Sequence, residues 1–192
     1  GLKRLNLGLN HVGGLTARAL GSWIRNNPNL HFLDISDNYI SDEGAEALAL
    51  GLAQNDTLTF LDLGFNSLFN RGAVALSRAI ESHKSLEVLD LWGNNIGDEG
   101  AKTLMDMMVR HRSMNYLNLE KNSLSPSVLH QSKMVVRAQE KLTLYPGVLV
   151  QERDGEGILR LAASLEQASQ HVVAAAIVAS ARARGLALEV PD

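Results

Sequence analysis

Leu2, Leu30, Leu58, Leu86 and Met114 lie 28 residues apart, and the same pattern follows each of them. The first unit reads Leu2-x-x-Leu5-x-Leu7-x-x-Asn10-x-Val12. The second has Leu30, Leu33, Ile35, Asn38 and Ile40, and the third Leu58, Leu61, Leu63, Asn66 and Leu68. Leu86, Leu89, Leu91, Asn94 and Ile96 make the fourth, and Met114, Leu117, Leu119, Asn122 and Leu124 the fifth. A supersecondary unit this short cannot bury its apolar face alone. In-phase copies must stack and bury that face against one another, which predicts a solenoid rather than one round core.

Each unit changes period half-way. Leu-x-Leu alternation predicts a short strand with both leucines pointing inward. Past the asparagine the spacing becomes helical: Gly44, Leu48 and Leu52 are four apart, as are Gly72, Leu76 and Ile80, and Gly100, Leu104 and Met108. The recurring glycine lets neighbouring helices approach; the first unit has Thr16 there. Asp42-Glu43 and Asp98-Glu99 fall in a first helical turn, where carboxylates complement the helix dipole. The column Asn10, Asn38, Asn66, Asn94, Asn122 stands where the chain leaves the strand. A carboxamide carries donors and an acceptor, so stacked asparagines can satisfy backbone groups that the sheet leaves unpaired.

Strands stack about 4.8 Å apart and helices about 10 Å, so the helical side fans out and the array curves. The fold expected is therefore an α/β solenoid with parallel strands on the concave side and helices on the convex side. Parallel sheets are normally covered on both faces. Here one face stays open and becomes the default binding surface.

These residues resemble the leucine-rich repeat superfamily over residues 1–124, and within it the ribonuclease-inhibitor-like subfamily with its long helical unit. Ile96-Gly97-Asp98-Glu99-Gly100-Ala101-Lys102-Thr103-Leu104 is similar to repeats of nucleotide-binding immune receptors. Comparable repeats occur in Ran GTPase-activating proteins, tropomodulin-type actin regulators and axonemal scaffolds. The resemblance implies a non-enzymatic module that binds a protein partner on the concave face. A GTPase activator and the sensing region of an immune-type receptor are the alternatives.

Strand residues between the inward leucines face the concave side. One column reads Arg4, Phe32, Phe60, Val88, Tyr116; the next reads Asn6, Asp34, Asp62, Asp90, Asn118. The third reads Gly8, Ser36, Gly64, Trp92, Glu120, with Asp37 and Phe65 beside it. The expectation is an aromatic strip bordered by an acidic one. Phe32, Asp34, Phe60, Asp62, Phe65, Val88, Asp90, Trp92, Tyr116 and Asn118 are the candidate site. Rigid aromatics anchor contacts, so the partner called for carries basic and apolar groups. Phe32, Phe60, Phe65, Trp92 and Tyr116 are five of the nine aromatics in the whole chain, which concentrates that residue type on this face.

Other classes of function find little footing. The net charge of −3 gives no electrostatic footprint for nucleic acid. The longest apolar run, Val172–Ala179, is eight residues, far below the ~18 that a membrane span needs. The absence of cysteine excludes disulfides and thiolate metal sites and favours an intracellular, cytoplasmic setting. No phosphate-binding glycine loop, nucleophile elbow or zinc-protease motif is present, and no cofactor is implied. His83 and His111 are 28 apart, with Asn27 and Asn55 at the equivalent earlier positions, and read as a polar loop column rather than a metal site. Arg71, in Phe69-Asn70-Arg71-Gly72, is the candidate for the contact that the GTPase-activator alternative requires.

The repeat fails after Leu124. Residues 125–192 read as a closing segment: Pro126 opens a helix, Leu142-x-Leu144 resembles a last strand, and a helix near 158–184 carries an apolar stripe. Its expected role is to cap the last repeat, with an intermolecular helix interface as the alternative. At the other end Gly1-Leu2 begins inside the pattern, so the expectation is a piece of a longer protein or a direct contact there.

Overall fold

A computed structural model describes residues 1–133 of the chain. Strands and helices alternate in the order β1 (Arg4–Asn6), α1 (Gly14–Arg25), β2 (Phe32–Asp34), α2 (Ser41–Leu52), β3 (Phe60–Asp62), α3 (Asn70–Ile80), β4 (Val88–Asp90), α4 (Asp98–Arg110) and β5 (Tyr116–Asn118). Residues 126–133 are helical as well. The five strands form one parallel sheet in sequence order. Their register places Arg4, Phe32, Phe60, Val88 and Tyr116 side by side, and likewise Asn6, Asp34, Asp62, Asp90 and Asn118. This is the α/β solenoid that the repeat predicts, with sheet and helices on opposite sides of one core. The expected closing strand at 142–144, the helix near 158–184 and their capping role lie outside the described residues.

The core is a column of leucines and their equivalents. Leu33, Leu61 and Leu89 from the strands meet Leu48, Leu76 and Leu104 from the helices, all essentially inaccessible to solvent. Each strand is only three residues long because only one Leu-x-Leu step is available to it. Its ladder continues through the loop: Leu63 N–H donates to Asp90 O, Phe65 N–H to Trp92 O, and Ser41 N–H to Asn66 O.

The asparagine column does what its chemistry predicts. Asn66 Nδ2 donates to Ile35 O (2.9 Å) of the preceding unit and to Gly64 O (3.0 Å) of its own. Its Oδ1 accepts from Ile40 N–H at 3.3 Å. Asn94 repeats the arrangement one unit later, donating to Leu63 O and Leu91 O and accepting from Asn66 N–H and Leu68 N–H. Asn38, Asn66, Asn94 and Asn122 therefore each bond one turn of the solenoid to the one before it, whereas Asn10, in the first unit, bonds only to Leu7 O and Gly8 O of its own turn.

A second inter-unit column was not foreseen. None of the helices α1 to α4 is capped by its own N-cap side chain. Instead Asp42 Oδ1, in α2, accepts from Phe69 N–H (2.8 Å) and Gly72 N–H (2.9 Å) at the start of α3. Asn70 in α3 does the same for Gly97 and Gly100 of α4, and Asp98 in α4 for Ser125 ahead of the next helix. Asp42 and Asp98 thus act on the following unit, beyond the favourable dipole of their own helix. A Cβ on Gly72 would lie 2.6 Å from Asp42 Oδ1 and one on Gly100 2.9 Å from Asn70 Oδ1, while at Gly44 it would meet Ile40 Cγ2 at 2.6 Å and the Ala17 Cβ of the preceding helix at 3.0 Å.

Candidate functional site

Side-chain alternation sets out the open face in three parallel columns. In the first, the rings of Phe32 and Phe60 stack with centroids 4.5 Å apart and planes 10° from parallel. The Arg4 guanidinium sits over Phe32, 3.8 Å from its centroid. A groove of about 560 Å³ follows this column from Lys3, Arg4 and His31 at the β1 end to Glu87 and Val88 at β4. Val88 separates Phe60 from Tyr116, so the tyrosine stands apart from the phenylalanine pair.

The middle column is acidic. Each aspartate turns one oxygen back on its own chain: Asp34 Oδ1 accepts from Ser36 N–H (3.0 Å), Asp62 Oδ1 from Gly64 N–H (2.8 Å) and Asp90 Oδ1 from Trp92 N–H (2.8 Å). The flanking asparagines satisfy the second oxygens at the ends, Asn6 donating to Asp34 Oδ2 (2.8 Å) and Asn118 to Asp90 Oδ2 (3.1 Å). Asp62 lies between the two carboxylates, and among the described residues no donor reaches its second oxygen. Burial pushes its pKa up to about 6, with Asp90 and Asp34 adding to the effect and the Gly64 N–H opposing it.

The third column holds Trp92, whose ring meets Phe65 edge to face at 4.4 Å and 87°. Phe65 carries a left-handed backbone (φ 51°). Gly93 is left-handed too (φ 69°), and a Cβ there would lie 2.6 Å from the Phe65 ring. The arrangement corrects the expected single aromatic strip with an acidic border. Residues i, i+2 and i+4 of a strand share a face in that order, so the aspartates run between two separate aromatic clusters.

A family model described as Leucine Rich repeat matches residues 26–49, 54–77 and 82–105. The chain carries leucine-rich repeats. No curated protein matches it in sequence. Among solved structures it is similar to the leiomodin-1 actin-binding site 2, with a TM-score of 0.63 and 14% identity over 79% of this chain and 88% of that one. At that identity the likeness is one of fold.

Within these leucine-rich repeats the other sequence candidates find structural explanations. His83 and His111 lie in the loops between helix and strand, and both are buried. His83 Nδ1 accepts from Ser85 N–H and Leu86 N–H, and His111 Nδ1 from Ser113 N–H and Met114 N–H. Asn55 does the same with Oδ1 toward Thr57 and Leu58, so the histidines replace a carboxamide. The replacement is incomplete, because Asn55 also donates to Ile24 O whereas Nε2 of both histidines lacks a well-formed bond. Burial holds the His83 pKa down to about 4, against the pull of Asp56, and keeps His111 low as well, against nearby backbone carbonyls of Ile80 and His83. Arg71 lies in the first turn of α3 rather than in a loop, and its Nε pairs with Glu46 at 3.0 Å. Among the described residues, no cluster of three or more His, Asp or Glu is arranged to hold a metal. Nor is any helix among them long and apolar enough to cross a membrane.

Proposed function

We propose that this array is a non-enzymatic recognition module that holds a protein partner on its concave face. One observation carries the reading: an in-register acidic column runs between two aromatic clusters on a sheet face that no described element covers. The partner's surface combines apolar groups, seated on Phe32–Phe60 and Phe65–Trp92, with a cation above Asp62. Desolvated aromatics supply most of the affinity at such a surface, and charge sets orientation and partner choice. Lys3, Arg4 and His31 at the β1 end favour an acidic group there, so the docked surface carries both signs of charge.

The helical units favour the ribonuclease-inhibitor-like subtype, since α1 to α4 have 11 to 13 residues each. Residues 125–192 complete the module as its closing segment, and the absence of cysteine suits a cytoplasmic setting. The solved neighbour is itself named for an actin-binding site, which supports binding of a protein by this fold without naming a partner here. No specific observation favours the GTPase-activator or immune-receptor alternatives. Affinity purification with the wild-type chain and with the Phe60→Ala/Trp92→Ala double variant tests the proposal. A partner captured by the first and lost by the second, at unchanged circular dichroism, supports it. Equal capture by both refutes it.

A further inference from the structure

The loops that leave each strand form a rim along one edge of the sheet. At one position of this rim the backbone is left-handed in every unit: Leu9 (φ 59°), Asp37 (56°), Phe65 (51°), Gly93 (69°) and Lys121 (57°). Glycine is the natural occupant of such a conformation, yet only Gly93 is one. On the first three units the rim also exposes large apolar side chains: Leu9 by 80%, Tyr39 by 64%, Phe65 by 44% and Phe69 by 54%. Single exposed apolar residues need no explanation, but a run of them along one edge does.

Between two of these rings lies a notch of about 220 Å³, lined by Asp37, Asn38, Tyr39, Phe65, Ser67 and Gly93. His11 stacks on Tyr39 with ring centroids 5.7 Å apart and planes 2° from parallel, which braces that side of the ring. Asn38 is buried and spends its carboxamide on backbone groups of its own and the preceding unit. Asp37 supplies the one formal charge in the lining. Among the described residues no cation reaches it, although Glu46, Asp56, Glu81 and Glu120 each have a Lys or Arg partner within 3.2 Å. A carboxylate beside aromatic rings is the environment that recognises an organic cation. Successive units lie about 4.8 Å apart, so Leu9 is one or two residues of an extended chain away from Asp37. Lys121, further along the same column, repels a second cation in that direction.

We infer that the rim notch between Tyr39 and Phe65 takes the arginine or lysine side chain of an extended segment from a protein partner, its charge against Asp37 and an apolar neighbour on Leu9. This surface shares Phe65 with the concave-face cluster but none of the aspartates of the acidic column, and it does not depend on the concave-face reading. Titration of the full chain with acetyl-Leu-Ala-Arg-Ala-amide, followed by amide NMR, tests it, with the Arg→Glu peptide as the control. The expected result is a saturable shift at the amides of Asp37, Phe65, Ser67 and Gly93, absent with the Glu peptide. It weakens about tenfold in Asp37→Asn and in Tyr39→Ala. Asparagine tolerates the left-handed turn, so the first variant keeps its fold. Absence of a saturable rim shift, or an equal response to the Glu peptide, overturns the inference. Shifts confined to Asp34, Asp62 and Asp90 overturn it too, while supporting a cation on the concave face.

Discussion

Two columns of short polar side chains run through the repeats, four residues apart in each unit, and meet opposite ends. Asn38, Asn66 and Asn94 are buried, and each carboxamide both donates and accepts. Asp34, Asp62 and Asp90 are half-buried on the open face, and each satisfies one oxygen with its own turn. The difference follows from the groups themselves. Where the chain leaves the strand, orphan N–H and C=O groups occur together, and only an amide answers both. A carboxylate has acceptors alone, and although Asn6 and Asn118 reach the second oxygens of Asp34 and Asp90, the central Asp62 keeps one that no donor among the described residues reaches. The first column is scaffold, and the second is the one we propose for recognition.

The contrast breaks most visibly at Asn66. Asn66→Ala leaves Ile40 N–H buried and unpaired, takes from Ile35 O one of its two donors, the other being Asn38, and costs about 3 kcal/mol in urea denaturation. The histidine column sharpens it next. An unfolded histidine takes up its proton near pH 6.5, whereas folded His83 waits until about 4. Its contribution is therefore complete above pH 6.5 and is lost as the pH falls toward 4. His83→Asn restores the amide used at Asn55 and abolishes this loss, so the variant exceeds wild type by on the order of 2 kcal/mol at pH 4 and by less at pH 7.5. Asp42→Ala removes the cap from the start of α3 and lowers stability by about 1 kcal/mol, read as a shift in thermal midpoint.

Asp62 gives the smallest effect, with the opposite sign. Its folded pKa, about 6, lies above the ordinary 3.8, so its favourable contribution is present below pH 3.8 and lost as the pH rises through 6. Asp62→Asn therefore stabilises the fold at pH 7.5, by less than about 1 kcal/mol because the side chain is partly solvated. The variant also lacks the gain that wild type shows on acidification from pH 6 to 3.8.

Much of this was legible in the sequence because the repeat turns linear position into spatial position. Five equivalent leucines 28 apart fix the strand register, and with it the neighbours of Asp62 and the asparagine column. What escaped notice acts between units or depends on the backbone. Asp42, Asn70 and Asp98 also recur every 28 residues, but a carboxylate in a first turn is sufficiently explained by its own helix, so its bond to the next one is hidden. Separation of the aromatics into two clusters was implicit in strand alternation. The left-handed rim was not, since Leu9, Phe65 and Lys121 give no chemical sign of that conformation.

The most direct test of the central claim replaces Asp34, Asp62 and Asp90 together by asparagine and measures thermal stability and partner capture on the same preparation. The account predicts a protein at least as stable as wild type at pH 7.5 that no longer retains the partner. A triple variant that unfolds like Asn66→Ala, or that retains the partner undiminished, would contradict it.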